Sequence, residues 1–152
     1  MKIEYTPIGL VHSPFKELKE IPNQSFLAKG IRGTVEVYPD FKNGLQDLAG
    51  FSHIILLCHF HLVEGYRLRV VPSGDSHSRG LFATRSPRRP NPIGISIVRL
   101  EGIKNNILSV SDLDIMNETP VLDVKPYVGE FEELKRIRMG WVESVRRRPV
   151  SS

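Results

Sequence analysis

Residues 53–60 form a nearly continuous apolar run, and its longest uninterrupted stretch is only Ile54-Ile55-Leu56-Leu57-Cys58. That is far short of the ~18 residues a membrane helix needs, and it matches a central strand buried on both faces. Shorter runs of the same kind recur at residues 8–11, 33–38, 68–71, 94–100, 107–113 and 121–124, with Gly, Pro and Asn between them. Residues 33–38 alternate with period two, and so do 94–100, where Ile95, Ile97 and Val98 are apolar and Ser96 and Arg99 are not. Helical periodicity is scarce. The pattern predicts a mainly β fold, a small closed β-barrel of about seven short strands with one or two short helices. One helix is expected around Leu45-Gln46-Asp47-Leu48. The other is expected over residues 130–139, where Phe131, Leu134 and Ile137 share a face before Gly140.

A length of 152 residues fits one domain. With 40% hydrophobic and 25% charged residues, a disordered or collagen-like chain is excluded. Met1-Lys2-Ile3-Glu4 opens no signal-peptide apolar region. Cys58, a single cysteine, makes neither an internal disulfide nor a structural zinc site by itself. A cytoplasmic protein without a membrane segment is expected.

The formal charge is only +4, but the basic residues are segregated. Arg79, Arg85, Arg88, Arg89 and Arg99 fall in the middle of the chain. Lys135, Arg136, Arg138, Arg146, Arg147 and Arg148 fall near its end against one carboxylate, Glu143. Such segregation suits an anionic partner such as RNA, although a solvated surface would look the same. The central cluster is more specific. Pro87, Pro90 and Pro92 stiffen it and deplete its backbone donors. Its contacts must therefore come from Thr84, Arg85, Ser86, Arg88, Arg89 and Asn91, held with little ordering entropy left to lose on binding. The Ser- and Gly-rich loop 72–80, by contrast, reads as mobile.

His53, His59 and His61 share one face of the apolar run, but no carboxylate lies close in sequence and Cys58 points the other way. Non-metal roles are expected: His53 as a satisfied core histidine, His61 as a group that stacks on or hydrogen-bonds a base. Asp112 and Asp114 share a face, as do Asp123 and Lys125, the latter explained equally well by an ion pair. There is no G-x-G-x-x-G, P-loop or Cys/His zinc pattern, so a Rossmann-type site is unsupported. Cys58, in an apolar strand, is expected to be unreactive.

Four segments in order carry a family resemblance. They are Ile8-Gly9-Leu10-Val11-His12-Ser13-Pro14-Phe15; Phe51-Ser52-His53; Phe82-Ala83-Thr84-Arg85-Ser86-Pro87 with Arg89-Pro90-Asn91-Pro92-Ile93-Gly94; and Thr119-Pro120-Val121-Leu122-Asp123-Val124-Lys125-Pro126-Tyr127. Over residues 3–128 the chain resembles the TrmO family, also called TsaA-like or YaeB-like. The resemblance implies a TsaA-like β-barrel domain over 1–128, followed by a C-terminal helix and basic tail over 129–152. It also implies a dimeric, S-adenosylmethionine-dependent methyltransferase that acts on N6 of threonylcarbamoyladenosine beside the tRNA anticodon. The family commonly has Asp-Gly before its Thr-Pro pair, where this chain has Asn117-Glu118. Losing that glycine removes an easy positive-φ position, so a differently shaped turn is expected.

The resemblance further implies a cofactor site made by Pro22, Asn23, Gln24, Phe60, His61, Arg85, Ile95, Leu113 and Asp114. Arg85 is the expected carboxylate partner, because a guanidinium binds a carboxylate bidentately. Arg88, Arg89, Asn91, Lys125 and Tyr127 are the expected RNA contacts. The acceptor nitrogen is a poor nucleophile while protonated, so a base is needed, and His61 and Asp114 are the candidates. Two competing classes remain at this level: a non-catalytic β-barrel RNA-binding module, and a metal hydrolase using the histidine strand. The first should show exposed aromatics among its basic residues, and the loop has none between Phe82 and Leu100.

Overall fold

The computed structural model describes residues 1–21, 28–129 and 137–146. The strands are β1 (Gly9–His12), β2 (Arg32–Val37), β3 (His53–His59), β4 (Arg69–Val70), β5 (Arg79–Gly80), β6 (Ile93–Lys104), β7 (Ile107–Ser111) and β8 (Pro120–Pro126). Six of them close a barrel in the order β1-β2-β7-β6-β3-β8, and β4 pairs only with β5. The barrel is thus mainly β and closed, as expected, but six strands suffice. The run at 68–71 stands outside it, paired with a two-residue strand that no sequence pattern marks.

All barrel pairs are antiparallel, and β1 joins the two ends of the sheet by pairing with both β2 and β8. Register shifts between Leu57 and Cys58 and between Leu100 and Gly102 bend the sheet, as closing a small barrel requires. Inward side chains fill the interior: Val11, Val35, Val37, Ile54, Leu56, Cys58, Val98, Leu108, Val110 and Val121, with Leu113 from beyond β7.

The barrel wall reverses one expectation and trims another. On β3, Ile54, Leu56 and Cys58 face inward, while Ile55 and Leu57 are half-buried and His59 is exposed. The run is therefore buried on one face only, because a barrel wall one sheet thick has a single interior side. His53 also lies on the outer face, half-buried, with its Nδ1 2.8 Å from the Ser52 hydroxyl. On β6 the interior takes Gly94, Ser96, Val98 and Leu100, and the isoleucines at 93, 95 and 97 face out.

The helix expected around Leu45-Leu48 is two 3-10 segments, Pro39–Leu45 and Leu48–Gly50, separated where Asp47 turns left-handed at φ 68°. Most of the expected 130–139 helix, along with Lys135 and Arg136, lies outside the described residues, and 137–139 are not helical. A helix stands at α1 (Trp141–Arg146).

The turn before Thr119 has a left-handed residue that is not glycine, Glu118 at φ 63°. Its surroundings over-determine it. The Glu118 amide donates to Val11 O at 2.7 Å, the Asn117 amide to Phe15 O at 2.8 Å, and the Ser13 amide to Asn117 Oδ1 at 3.0 Å. Together they absorb a conformation that costs a non-glycine residue about 1–2 kcal/mol.

Candidate active site

Strand β6 is longer than β7. It pairs with β3 along 93–99 but with β7 only from Arg99 onward, where Arg99 meets Ser111. After Ser111 the chain leaves the ladder, and Asp112 turns left-handed at φ 62°. The departure exposes the edge of β6 and opens a cleft of about 390 Å³ lined by Lys29, Arg85, Ile95, Ser96, Ile97, Asp112 and Asp114. Unpaired strand edge, two cations, two carboxylates and two isoleucines thus meet in one place, in a volume typical of small-molecule sites.

The carboxylates are held in place. Asp112 Oδ1 accepts the Gly30 amide at 2.7 Å, which ties the approach to β2 to the end of β7. The Ser96 hydroxyl donates to Asp114 Oδ1 at 2.6 Å. Behind them, burial and then the Asp114 charge push the Cys58 thiol up to about 12. It stays protonated and inert at neutral pH, as its sequence context suggests.

The arginine-proline loop is rigid, and its arginines divide by task. Arg88 Nη1 donates to Glu64 O at 2.8 Å, tying the loop to the segment after β3. Arg89 Nη1 turns back on the loop itself, donating to the carbonyls of Thr84 (2.8 Å), Ser86 (3.2 Å) and Leu81 (3.4 Å). Its guanidinium also lies 5.8 Å over the Phe82 ring. Arg85 is exposed and, among the described residues, has no hydrogen bond or ion pair within the protein.

Loop 72–80, expected to be mobile, is a turn wound on the Asp75 carboxylate, whose side chain is fully buried. It accepts the Ser76 amide at 2.8 Å, the His77 amide at 3.2 Å and Arg79 Nε at 2.8 Å. The Arg79 hydrogen bond, foremost, holds this carboxyl well below the usual carboxylate range. Arg79 also lies 5.3 Å over Trp141, whose Nε1 donates to Ala83 O at 2.8 Å. The helix α1 is thereby fastened to the base of the arginine-proline loop.

Of the residues expected around a cofactor, the structure brings Arg85, Ile95 and Asp114 together in the cleft. Phe60 stands one step away. Its ring occupies the space a Cβ on Gly94 would need, so only glycine fits there, and its amide donates to Pro92 O at 2.8 Å. Leu113 sends its side chain into the core and can reach a ligand only through its backbone. Pro22, Asn23 and Gln24 lie outside the described residues.

His61 is not part of the cleft lining. Burial and the neighbouring His59 lower its pKa from 6.5, with Glu118 acting the other way, so it is neutral at pH 7. Lys125 pairs with Asp123 at 2.9 Å on β8, and β3 separates both Lys125 and Tyr127 from β6. Asn91 is exposed at the loop's end. Among the described residues, no three His, Cys, Asp or Glu side chains converge as a metal site.

Sequence reading missed Lys29, Ser96 and Ile97 as site residues, and singled out Asp112 only for sharing a face with Asp114. Lys29 has no pattern to mark it. Ser96 is marked only once the barrel closes: it then lies on the inward face of β6, between Gly94 and Val98, where a hydroxyl needs a partner.

A closed barrel with an open strand edge and a rigid arginine loop above it defines a small-ligand site outside any Rossmann sheet. A family model for the tRNA-methyltransferase O N-terminal domain matches residues 10–133, and the chain belongs to this TrmO family. It is 54% identical over 143 residues to a probable S-adenosyl-L-methionine-binding protein of Pyrococcus abyssi, covering 94% of this chain and 78% of that one. It is 34% identical over 151 residues to the tRNA (adenine(37)-N6)-methyltransferase of Escherichia coli, covering 93% of this chain and 64% of that one. The crystal structure of TrmO from Pseudomonas aeruginosa superposes with a TM-score of 0.80 at 40% identity, covering 93% of this chain and 63% of that one. The chain thus spans less than two-thirds of the Escherichia coli and Pseudomonas aeruginosa proteins.

Proposed function

We propose that this protein is an S-adenosylmethionine-dependent methyltransferase that modifies N6 of threonylcarbamoyladenosine next to the tRNA anticodon. One observation carries the reading: Arg85, free of any partner among the described residues, faces a cleft that also holds the Ser96-bound carboxylate of Asp114. The cleft's donor set fits the cofactor. Arg85 and Lys29 suit its carboxylate, and Asp112 and Asp114 suit its ammonium and ribose hydroxyls. Ile95 and Ile97 supply apolar walls, and the β6 edge supplies backbone groups for an adenine rim. When bound, the cofactor supplies an electrophilic methyl group on a sulfonium.

The chain's own residues do the rest. Arg85 fixes a carboxylate by two parallel hydrogen bonds and so aligns the reactants, which is worth much of the barrier in an in-line displacement. Asp114 Oδ1 is occupied by Ser96, which leaves Oδ2 to take the N6 proton. The 1–128 barrel domain is the catalytic unit, and the tail over 129–152 adds positive charge for tRNA. A tRNA substrate implies a cytoplasmic location. No helix among the described residues is long and apolar enough to cross a membrane.

The active unit is a homodimer in this reading. Outward-facing Ile93, Ile95 and Ile97 are 43%, 56% and 50% exposed, and Phe82 is 74% exposed, beside the arginine-proline loop. An apolar stripe of this kind on a barrel exterior marks an interface. Light scattering at tens of micromolar should give twice the 17.2 kDa chain mass.

The decisive assay follows labelled methyl transfer to tRNA carrying or lacking the threonylcarbamoyl group. Incorporation into the modified tRNA alone supports the reading. Equal incorporation into both overturns the substrate, and none into either overturns the activity.

A further inference from the structure

Arg85, Arg88 and Arg89 are equivalent cations by residue type, but the structure does not treat them alike. Arg89 is half-buried, while Arg85 and Arg88 are exposed. A single nitrogen of Arg89 serves the carbonyls of Thr84 and Ser86, the residues immediately before and after Arg85, and reaches Leu81 as well. The peptide before Arg85 and the carbonyl of the residue after it are therefore pinned to one atom. Thr84 reinforces the arrangement, its hydroxyl donating to Leu81 O at 2.7 Å and accepting the Ser86 amide at 3.3 Å. The two protons of Nη1 serve these carbonyls while the planar guanidinium lies over the Phe82 ring, a combination of fork and flat face that a lysine ammonium lacks.

We propose that Arg89 is a positioning residue for Arg85. It clamps the backbone on both sides of Arg85, so that the Arg85 guanidinium enters the cleft already oriented, and it does not itself contact RNA. The proposal rests on the reading of Arg85 as the carboxylate partner. Its consequence is energetic coupling: the two arginines act as one unit on cofactor affinity, although only one of them touches the ligand. A phosphate-binding Arg89 would behave differently, acting independently of Arg85 and contributing to the salt dependence of tRNA binding.

The test is calorimetry of S-adenosylhomocysteine binding to the wild-type chain, Arg85→Ala, Arg89→Ala and the double variant, with Arg89→Lys beside them in case Arg89→Ala does not fold. Arg89→Ala, or Arg89→Lys in its place, should weaken affinity about tenfold in the wild-type background and less than about twofold when Arg85 is already alanine. The salt slope of tRNA binding should stay that of the wild type. Equal losses in both backgrounds, or a slope smaller by about one, overturn the proposal. If Arg85→Ala leaves affinity unchanged, the cofactor reading of Arg85 fails by itself. The clamp is then judged by trypsin cleavage of the Arg85–Ser86 bond, followed by mass. Arg89→Lys should be cut there at least about tenfold faster than wild type, since local opening controls cleavage. An unchanged rate overturns the clamp.

Discussion

The Ser96 hydroxyl and the Asp114 carboxylate meet at 2.6 Å where β6 runs on beyond the end of β7. Neither residue lies in the ladder that joins the two strands. The hydrogen bond spans the gap that the ladder leaves, and it turns the Asp114 side chain toward the cleft. In the proposed mechanism Asp114 is the general base, and a base must be oriented before its basicity matters.

Asp114→Asn should therefore lose about 100-fold or more in methyl transfer, within the range general-base removal causes. Ser96→Ala should lose less, about five- to twentyfold, since it frees the carboxylate to turn without removing it. Single-turnover rates at saturating cofactor measure both. A rate in Asp114→Asn within a few-fold of wild type would remove it as the base.

Arg85 separates a bidentate clamp from diffuse charge. Arg85→Lys should be nearly as harmful as Arg85→Ala, because an ammonium cannot reproduce two parallel bonds. The expected loss is about 2–4 kcal/mol, or roughly 30- to 1000-fold in activity. Because Arg85 has no partner among the described residues, neither change should shift the melting temperature by more than about a degree. Full activity in Arg85→Lys would show that the residue supplies charge alone.

His61 has its pKa lowered from 6.5, foremost by burial and then by His59. A depressed histidine favours its neutral form in the folded state. Whatever stability it carries is full above the unfolded value and lost as pH falls through the folded one. NMR titration should give a midpoint below 6.5, and Glu118→Gly, which removes the opposing carboxylate, should lower it further. Since His61 does not line the cleft, His61→Ala should keep activity within about threefold at pH 8, unlike Asp114→Asn. A 100-fold loss would make His61 the base instead.

Glu118 at φ 63° is a left-handed residue without glycine's freedom. Glu118→Gly should relieve about 1–2 kcal/mol of strain and cost about 0.5–1 kcal/mol of backbone entropy. The net gain is about 0–1.5 kcal/mol, which raises the melting temperature by up to roughly 6 °C for a chain of this size. Calorimetric melting decides it, and a lower melting temperature would mean the glutamate side chain stabilises the turn.

Much of this protein was legible before it was folded. Alternation at 33–38, 94–100 and 107–113 located β2, β6 and β7, because a strand's period is a local property of the backbone. The proline spacing at 87, 90 and 92 marked a stiff loop for an equally local reason. Nothing local in Asn117-Glu118 indicated that partners distant in sequence, at Val11, Phe15 and Ser13, would hold Glu118 left-handed. The Asp75 carboxylate around which loop 72–80 winds was likewise not legible, because a polar composition does not say which side chain a loop closes on.

By itself the sequence determined which segments are strands, that they are too many and too short for anything but a β fold, and which chemical groups a site could draw on: Arg85, Ile95 and Asp114 among them. Only the tertiary structure decided the rest. Period two reports alternation but not which face is inside, so closure of the barrel had to choose Ser96 over Ile95 and Ile97 for the interior. The cleft exists because β7 stops while β6 continues, a relation between two strands and a property of neither. Arg85 and Arg89 are the same residue type four positions apart, and one has no partner among the described residues while the other is spent on three carbonyls. A guanidinium's role is set by the acceptors that folding brings within about 3 Å of it, and those are invisible to a linear chain.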